Sequence, residues 1–512
     1  MKPESYPLPT SSVELVQTHV SWIFLTDSHA FKIKKPVNFG FLDFSTLELR
    51  HFYCNEELRL NRRLCPEIYE DVIPLRESGK GAAFSGDGPI VDYAVMMKRL
   101  PAERMLDKLV ESGAATPEEL KNVAAAVSRF HAAAETSAHI SGFGSLQQIM
   151  FNWNENLEQM LPYQDSTLPA EERYAIQEWV TEFSETHRDL FERRVKGGYI
   201  RDCDGDLHLE NICLTGERVC IFDCIEFNER FRFCDTAADI AFLLMDLDFH
   251  GRRDLAQTVF TTYQEASGDP ELAPLTDFYK VYRAFVRGKV ESFRTSDRGI
   301  SRESRALAGR RAIRYFRLAR GYCQSSRLRP TLFITCGSMG CGKSTLADQL
   351  AFELGISLHN SDVVRKKLAG KPLLSAVSDH YGQGLYDSAM TERTYAELMR
   401  LAENELAAGR STVIDASFNK AALRGAFAEL AARRTCGFII LKVLCDRAEQ
   451  KKRLIKRSES GTSVSDGRLE LLERQMADFE APSPHEGRII QLNTINTPET
   501  LASHIYRELE RQ

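Results

Sequence analysis

An apolar run, TLFITC from Thr331 to Cys336, leads straight into GSMGCGKST, from Gly337 to Thr345, and no other stretch limits the architecture so tightly. The first six residues read as a buried strand, and KSTLADQLAFEL, beginning at Lys343, reads as a helix. Between them the spacing GxxxxGKS suits a loop wrapped around phosphates. Gly337 and Gly342 permit backbone angles that a side chain forbids, so that N–H groups along Ser338, Gly340 and Cys341 turn inward. Lys343 then reaches the terminal phosphates, Ser344 ligates Mg²⁺, and Thr345 follows on the first helical turn, whose partial positive charge faces the same anion. Cys341 reads as a filler rather than a redox switch. The expectation is an α/β core that binds ATP with Mg²⁺.

Length sets the domain count. At 512 residues the chain exceeds one ordinary hydrophobic core, so two or three domains are expected. A composition 43% hydrophobic and 27% charged is that of a soluble globular protein. No run approaches the roughly 18 apolar residues of a membrane span. The start, MKPESYPLPTSS, lacks a basic region followed by an apolar stretch, so a cytoplasmic protein with no membrane partner is expected. Twelve cysteines are scattered without a CxxC pair. Cys220 and Cys224 lie in a β-like run, where Cys acts as a small apolar residue, and reduced thiols are expected rather than disulfides or zinc. Net charge is −6, with about +1 beyond residue 330 and about −7 before it, which argues against nonspecific coating of nucleic acid. RRAIRYFRLAR, from Arg310 to Arg320, reads as a basic helix closing the first domain, with Ile313, Phe316 and Leu318 available for burial. QSSRLRP, from Gln324 to Pro330, reads as a linker, giving domains 1–326 and 330–512.

The first domain has its own oddly placed polar residues. In YIRDCDGDLHLENICLTGERVCIFDCIEFN, residues 199–228, a loop precedes a hairpin made of NICL, a turn at TGE, and RVCIFD. Asp206 and Asn211 bracket the loop, and Asp223 ends a strand otherwise built of Val, Cys, Ile and Phe. A carboxylate there is costly unless it meets a cation, which suggests a metal site. Phosphoryl transfer uses such parts: one carboxylate to orient a hydroxyl, and an Asn with an Asp to hold Mg²⁺.

The spacing DxxxxN with a strand-end Asp resembles the catalytic loop and metal-binding Asp of aminoglycoside phosphotransferases and other protein-kinase-like enzymes, and GDLHLEN is close to the usual form of that family. The resemblance implies a bilobal α+β domain with Asp206 as catalytic base and Asn211 and Asp223 as metal ligands. Asp204 stands where the family motif has His, so the loop departs from the pattern there. Upstream, SWIFLT and AFKIK read as strands joined by DSH. Lys32 matches the family's phosphate-binding Lys, with Lys34 as the alternative, and Glu57 matches its Glu partner, with Glu56 competing. DYAVMMKRLP, Asp92 to Pro101, matches the last small-lobe strand and hinge. THVSW occupies the place of the family's glycine-rich lid. His131, on VAAAVSRFHAAA, reads as a packed core histidine. Segment 143–196 lies where such enzymes carry acceptor-binding helices.

In the second domain ISLHNSDVVRKKL reads as a short strand delivering Asp362 to a helix, with Arg365 one turn on from the same face. This DxxR resembles P-loop polynucleotide 5′-hydroxyl kinases and zeta-toxin-like kinases, which implies a base for an acceptor hydroxyl beside a cation for its phosphate. STVIDASF, from Ser411 to Phe418, reads as a buried strand ending in Asp415, placed for Mg²⁺ or its water. CDRAEQKKRLIKRSESGTSVSDGR reads as a helix running into a lid, with Arg453 and Arg457 four apart on one face, placed to close over the transferred phosphoryl group. The whole chain resembles bacterial fusions of a phosphotransferase-like domain with a P-loop kinase domain. The function expected is a bifunctional kinase, the second domain acting on a hydroxyl-bearing acceptor such as an RNA or DNA 5′ end. A small-molecule kinase for antibiotics or sugars, or a first domain that only binds or regulates, are the alternatives.

Overall fold

The computed structural model describes residues 2–79, 81–216, 218–372, 385, 387–460 and 469–511. The chain divides into two compact units, Met1–Phe316 and Arg317–Gln512.

The first unit begins with an antiparallel sheet of strands β1 (Glu14–Gln17), β2 (Ser21–Leu25), β3 (His29–Lys34), β4 (Tyr69–Ser78), β5 (Gly81–Ala83) and β6 (Ile90–Lys98), in the order β1-β2-β3-β6-β4-β5. Alternation along β3 sends Phe31 and Ile33 into one core with Tyr6, Leu75 and Phe84. Ala30 turns to the opposite core, where Cys54 of the helix Leu47–Asn61 packs. Lys32 and Lys34 share the parity of Ala30, so this helix brings Glu57 to them. Thr46 caps the helix by accepting from the Leu49 amide at 3.2 Å, which sets its first turn.

Below the sheet the unit is helical. The helix Thr236–Phe249 is buried along its whole length, and Pro117–Ala133, Arg253–Ser267 and Leu272–Thr295 pack around it or its neighbours. Two small ribbons carry the polar loop: β7 (Ile200–Asp202) pairs with β10 (Phe233–Asp235), and β8 (Ile212–Thr215) pairs with β9 (Arg218–Ile221). Segment 143–196 folds into helices Leu146–Gln159, Ala170–Thr186 and Arg188–Lys196. Arg194 is fully buried and binds Asp235 at 2.6 and 2.9 Å and Asp269 at 2.6 Å, tying the last of these helices to β10.

Three expectations are corrected here. Cys65 and Cys220 form a disulfide with Cα atoms 5.1 Å apart, so the thiols are not all reduced; their separation of 155 residues gives no local spacing to read. Ile313 is 39% exposed, whereas Phe316 and Leu318 are buried. The stretch read as a linker is helical as far as Arg327, because the helix Arg302–Arg327 buries Cys323 and Gln324 and runs on until Pro330 prevents its continuation.

The second unit is built on a parallel sheet of β11 (Thr331–Cys336), β12 (Ser357–Asn360), β13 (Thr412–Asp415), β14 (Gly437–Leu444) and β15 (Arg488–Asn493), in the order β12-β13-β11-β14-β15. Every residue of β11 is buried, as its apolar run requires. The chain leaves β11 toward β12 and β13 on one side and reaches β14 and β15 on the other. A crevice at the carboxyl ends of the strands is the usual consequence of such a reversal, and the loop after β11 lies there. Among the described residues, no helix is long and apolar enough to cross a membrane.

Candidate active sites

In the first unit, two lysines and three acids meet beneath the sheet. Glu57 has no exposed surface and uses one carboxylate oxygen for each lysine, Lys32 at 2.8 Å and Lys34 at 2.7 Å. Lys32 also binds Asp223 at 2.5 Å, and Lys34 also binds Glu226. Glu56, the competing residue, points outward and pairs with Arg59 at 2.7 Å. Burial disfavours the Glu57 carboxylate, yet Lys32 and Lys34 outweigh it and hold the group down at about 2. Burial also opposes charge on Lys32, and Asp223 and Glu57 overcome it, so its pKa rises well above normal. Glu226 goes the other way, raised by burial despite Lys34. Asp223 itself is half exposed, two residues beyond β9, with φ of 63°, and its amide donates to the Tyr69 hydroxyl at 3.2 Å. That left-handed turn swings the carboxylate out of the strand toward Lys32.

The loop from Asp204 to Asn211 is fixed from below. Asp239, on the buried helix, accepts from the amides of Asp204 at 3.1 Å and Gly205 at 2.9 Å and bonds His131 at 3.1 Å, whose other ring nitrogen meets Tyr263 at 2.7 Å. His131 is therefore a hydrogen-bonded core residue. Gly205 has φ of 86°, and a Cβ there would lie 2.7 Å from the Phe231 carbonyl oxygen, so the tight turn needs glycine. Asp204, in the place of the family's His, is 1% exposed and one of its oxygens has no partner among the described residues. Burial, then Asp239 and Asp206, push its carboxyl well above the usual range, and its other oxygen accepts from the Asp206 amide at 3.1 Å. Asp206 is different. Its side chain is 33% exposed and sits 3.4 Å from His208. Burial pushes its carboxyl up, but His208, Arg287 and Arg283 outweigh that and hold it below its ordinary value. Asn211 donates to the Asp206 carboxylate at 3.1 Å, and its carbonyl accepts from the Phe222 amide at 3.0 Å, next to Asp223. The fold thus gathers Lys32, Glu57 and Asp223 into one network and Asp206 with Asn211 into another, joined through that backbone bond. The oxygen donors of Asn211 and Asp223 fit a hard cation such as Mg²⁺.

Sequence reasoning did not single out Glu226, His208, Asp239, Arg283 or Arg287. His208 stands inside GDLHLEN and Glu226 three residues past Asp223, so both had a local signal. Asp239, Arg283 and Arg287 had none.

In the second unit the loop after β11 has three glycines at positive φ: Gly337 at 155°, Gly340 at 76° and Gly342 at 94°. Lys343 folds back to donate to the Ser338 carbonyl at 2.8 Å, so its ammonium lies across the loop. A Cβ on Gly342 would stand 3.2 Å from Arg453 Nη1 and from Thr494. Thr494 donates to the Cys341 carbonyl at 2.7 Å, Gln450 donates to the Ser338 hydroxyl at 2.8 Å, and the Met339 amide donates to Gln475 at 2.7 Å. Arg453 is held by Thr494 at 3.0 and 2.9 Å and by Glu449 at 3.0 Å, which makes it a brace for the loop in this conformation. Arg457 is on the same helix, Arg447–Ser460, and its side chain lies outside the described residues.

Ser344 and Thr345 occupy the first turn of the helix Lys343–Leu354, with Ser344 half buried and Thr345 exposed. Asp415 is 2% exposed and accepts from Thr335 at 2.9 Å and from Asn360 at 2.6 Å. Asn360 also caps the helix Ser361–Leu368, accepting from the amides of Asp362 and Val363 at 2.9 and 3.1 Å. Asp362 lies in the first turn and accepts from Arg365 at 2.8 Å. The residues fit a nucleotide with its metal: glycine at positive φ keeps the cradle clear of side chains, Lys343 sits across it, and a hydroxyl opens the helix.

Comparison with known proteins bears on both units. Residues 51–275 match the model of a phosphotransferase enzyme family, and residues 332–482 match that of an AAA domain. The chain is 30% identical over 468 residues to uncharacterized protein Rv2004c of Mycobacterium tuberculosis (strain ATCC 25618 / H37Rv), covering 91% of each chain. The same identity and coverage hold for uncharacterized protein Mb2027c of Mycobacterium bovis (strain ATCC BAA-935 / AF2122/97). The chain belongs to this two-domain family. This chain joins a phosphotransferase domain to a P-loop domain and is an ATP-dependent kinase. Among solved structures, a choline/ethanolamine kinase family protein from Mesorhizobium loti is 12% identical, with 61% of this chain and 92% of that one covered and a TM-score of 0.38. A sugar kinase from Janibacter sp. HTCC2649 is 22% identical, with 36% and 95% covered and a TM-score of 0.26. These two are likenesses only, and the assignment rests on the sequence matches.

Proposed function

We propose that the chain is bifunctional, each unit moving the γ-phosphoryl group of ATP to a hydroxyl on its own acceptor in the cytoplasm. One observation carries this for the first unit: Lys32 is held between Glu57 and Asp223, with Asp206 and Asn211 on the adjoining loop. In this reading Glu57 keeps Lys32 charged and aimed at the α/β-phosphates, and Asp206 orients the acceptor hydroxyl and takes its proton. Asn211 and Asp223 offer oxygens to Mg²⁺, which when bound neutralises charge on the phosphate oxygens. The acceptor oxygen bonds to the γ-phosphorus as the bridging P–O bond to ADP breaks.

In the second unit the backbone cradle and Lys343 grip the triphosphate, Ser344 offers its hydroxyl to Mg²⁺, and Asp415 fixes Asn360 and the strand end. Asp362 receives the acceptor proton. Arg365, paired with it at 2.8 Å, orients that carboxylate and attracts a phosphate beside the hydroxyl. This pairing favours a polynucleotide 5′ end or a nucleotide-like acceptor.

The test compares the intact chain with Asp206→Ala and Lys343→Ala, using radiolabelled ATP, oligonucleotides with 5′-hydroxyl ends and a small-molecule extract. Two kinases predict that oligonucleotide labelling is lost only with Lys343→Ala and metabolite labelling only with Asp206→Ala. Loss of all transfer with Lys343→Ala alone makes the first unit a binding module. Labelled metabolites with unlabelled oligonucleotides refute the 5′-end acceptor.

A further inference from the structure

Beside Asp206 the first unit has a cationic wall that phosphoryl transfer from ATP does not need. Arg287, on the helix Leu272–Thr295, and Arg311, on the helix Arg302–Arg327, flank Glu210, the residue before Asn211. Each faces a different oxygen of Glu210, Arg287 at 3.7 Å and Arg311 at 4.0 Å, both beyond hydrogen-bonding distance. Glu210 is half exposed at 49%, while the Arg287 side chain is 16% exposed and its Nε is buried with no partner among the described residues. An unsatisfied buried donor is costly, and this Nε lacks an acceptor among the described residues even though the guanidinium also lies against Tyr315, 5.7 Å from its ring centroid. Arg283 is already committed to the carbonyls of Ala238 at 3.0 Å and Gly205 at 2.9 Å, and Arg311 also meets Glu291 at 3.3 Å. His208 lies on the same side, 3.4 Å from the Asp206 carboxylate. The Glu210 carboxylate occupies the position that an external anion, bound bidentately, would fill.

We propose that the acceptor of the first unit is an anionic small molecule, a hydroxyl compound whose carboxylate or phosphate is bound by Arg287 and Arg311 while Glu210 swings toward solvent. The inference rests on Asp206 being the acceptor-side base, as proposed above. An acceptor bearing several ammonium groups, as an aminoglycoside does, meets two guanidiniums here and is disfavoured. The bound anion places its hydroxyl at Asp206. The hydroxyl proton passes to that carboxylate as the new O–P bond forms, and ADP leaves.

The full chain carrying Lys343→Ala, which silences the second unit, is given radiolabelled ATP, Mg²⁺ and a small-molecule extract divided by ion exchange into anionic, neutral and cationic pools. Label that depends on Asp206 is expected in the anionic pool. Pre-treating that pool with a phosphatase abolishes labelling of a phosphate-bearing acceptor and spares a carboxylate. With the labelled acceptor purified, Arg287→Gln and Arg311→Gln each raise KM about tenfold or more, with kcat changed less than about threefold, and Arg287→Lys restores part of the loss. Asp206-dependent label confined to the neutral or cationic pool, or KM unmoved in both Gln variants, overturns the proposal. No Asp206-dependent label in any pool refutes the kinase reading of this unit, and the anionic acceptor falls with it.

Discussion

Replacing Glu57 by Gln keeps the shape of a fully buried side chain and removes the charge that Lys32 and Lys34 share at 2.8 and 2.7 Å. Its carboxyl is held at about 2 against an ordinary 4.5. A folded-state pKa below the unfolded one gives stability that is present above the unfolded value and lost as pH falls through the folded one. The difference corresponds to about 3 kcal/mol at neutral pH, in line with the roughly 3–5 kcal/mol for removing one partner of a buried ion pair. All three tryptophans, Trp22, Trp153 and Trp179, lie in the first unit, so urea unfolding followed by tryptophan fluorescence reports that unit alone. Glu57→Gln should lower its unfolding free energy by about 3 kcal/mol at pH 7, and the gap between wild type and variant should close as pH falls from about 4.5 toward 2. A loss below about 1 kcal/mol at pH 7, or a gap unchanged at low pH, refutes the shared-carboxylate account.

The two lysines should separate in function. Lys34→Met strands the buried Glu226 and is expected to cost about 3–5 kcal/mol while sparing part of the transfer, whereas Lys32→Met, whose partner Asp223 is half exposed, should cut Asp206-dependent kcat by about 100-fold or more with a smaller stability loss. Unfolding curves and single-turnover rates on both variants check this. Gly342→Ala places a methyl 3.2 Å from Arg453 and Thr494 at a φ of 94°, and a fluorescent-nucleotide titration should show the affinity of the second unit falling about tenfold or more with the first unit's fluorescence transition unchanged. Reducing the Cys65–Cys220 bond, which closes a loop spanning 155 residues, should lower the stability of the first unit by about 2–5 kcal/mol, and Cys65→Ser should make its unfolding indifferent to reductant.

The phosphate cradle was legible because all its parts are contiguous: an apolar run that must be buried, glycines where the backbone turns positive, and a Lys and Ser opening a helix. The loop Asp204–Asn211 was legible for the same reason, since glycine at 205 and the spacing of Asp206 and Asn211 act within one turn of chain. Length pointed to two or three domains without saying where the helix between residues 302 and 327 would end. What remained open concerned partners far apart in sequence. Glu56 and Glu57 differ by about 100° around a helix, and only the sheet packed against that helix decides which one meets a lysine. Lys32 and Lys34 share one face of β3, and packing gave both to Glu57 and then divided them between Asp223 and Glu226. The same holds for Thr494 under Cys341, for Arg287 and Arg311 around Glu210, and for the pairing of Cys65 with Cys220. Backbone conformation is encoded by neighbours along the chain, whereas the charge that a buried group meets is set by whichever distant segment the core brings against it.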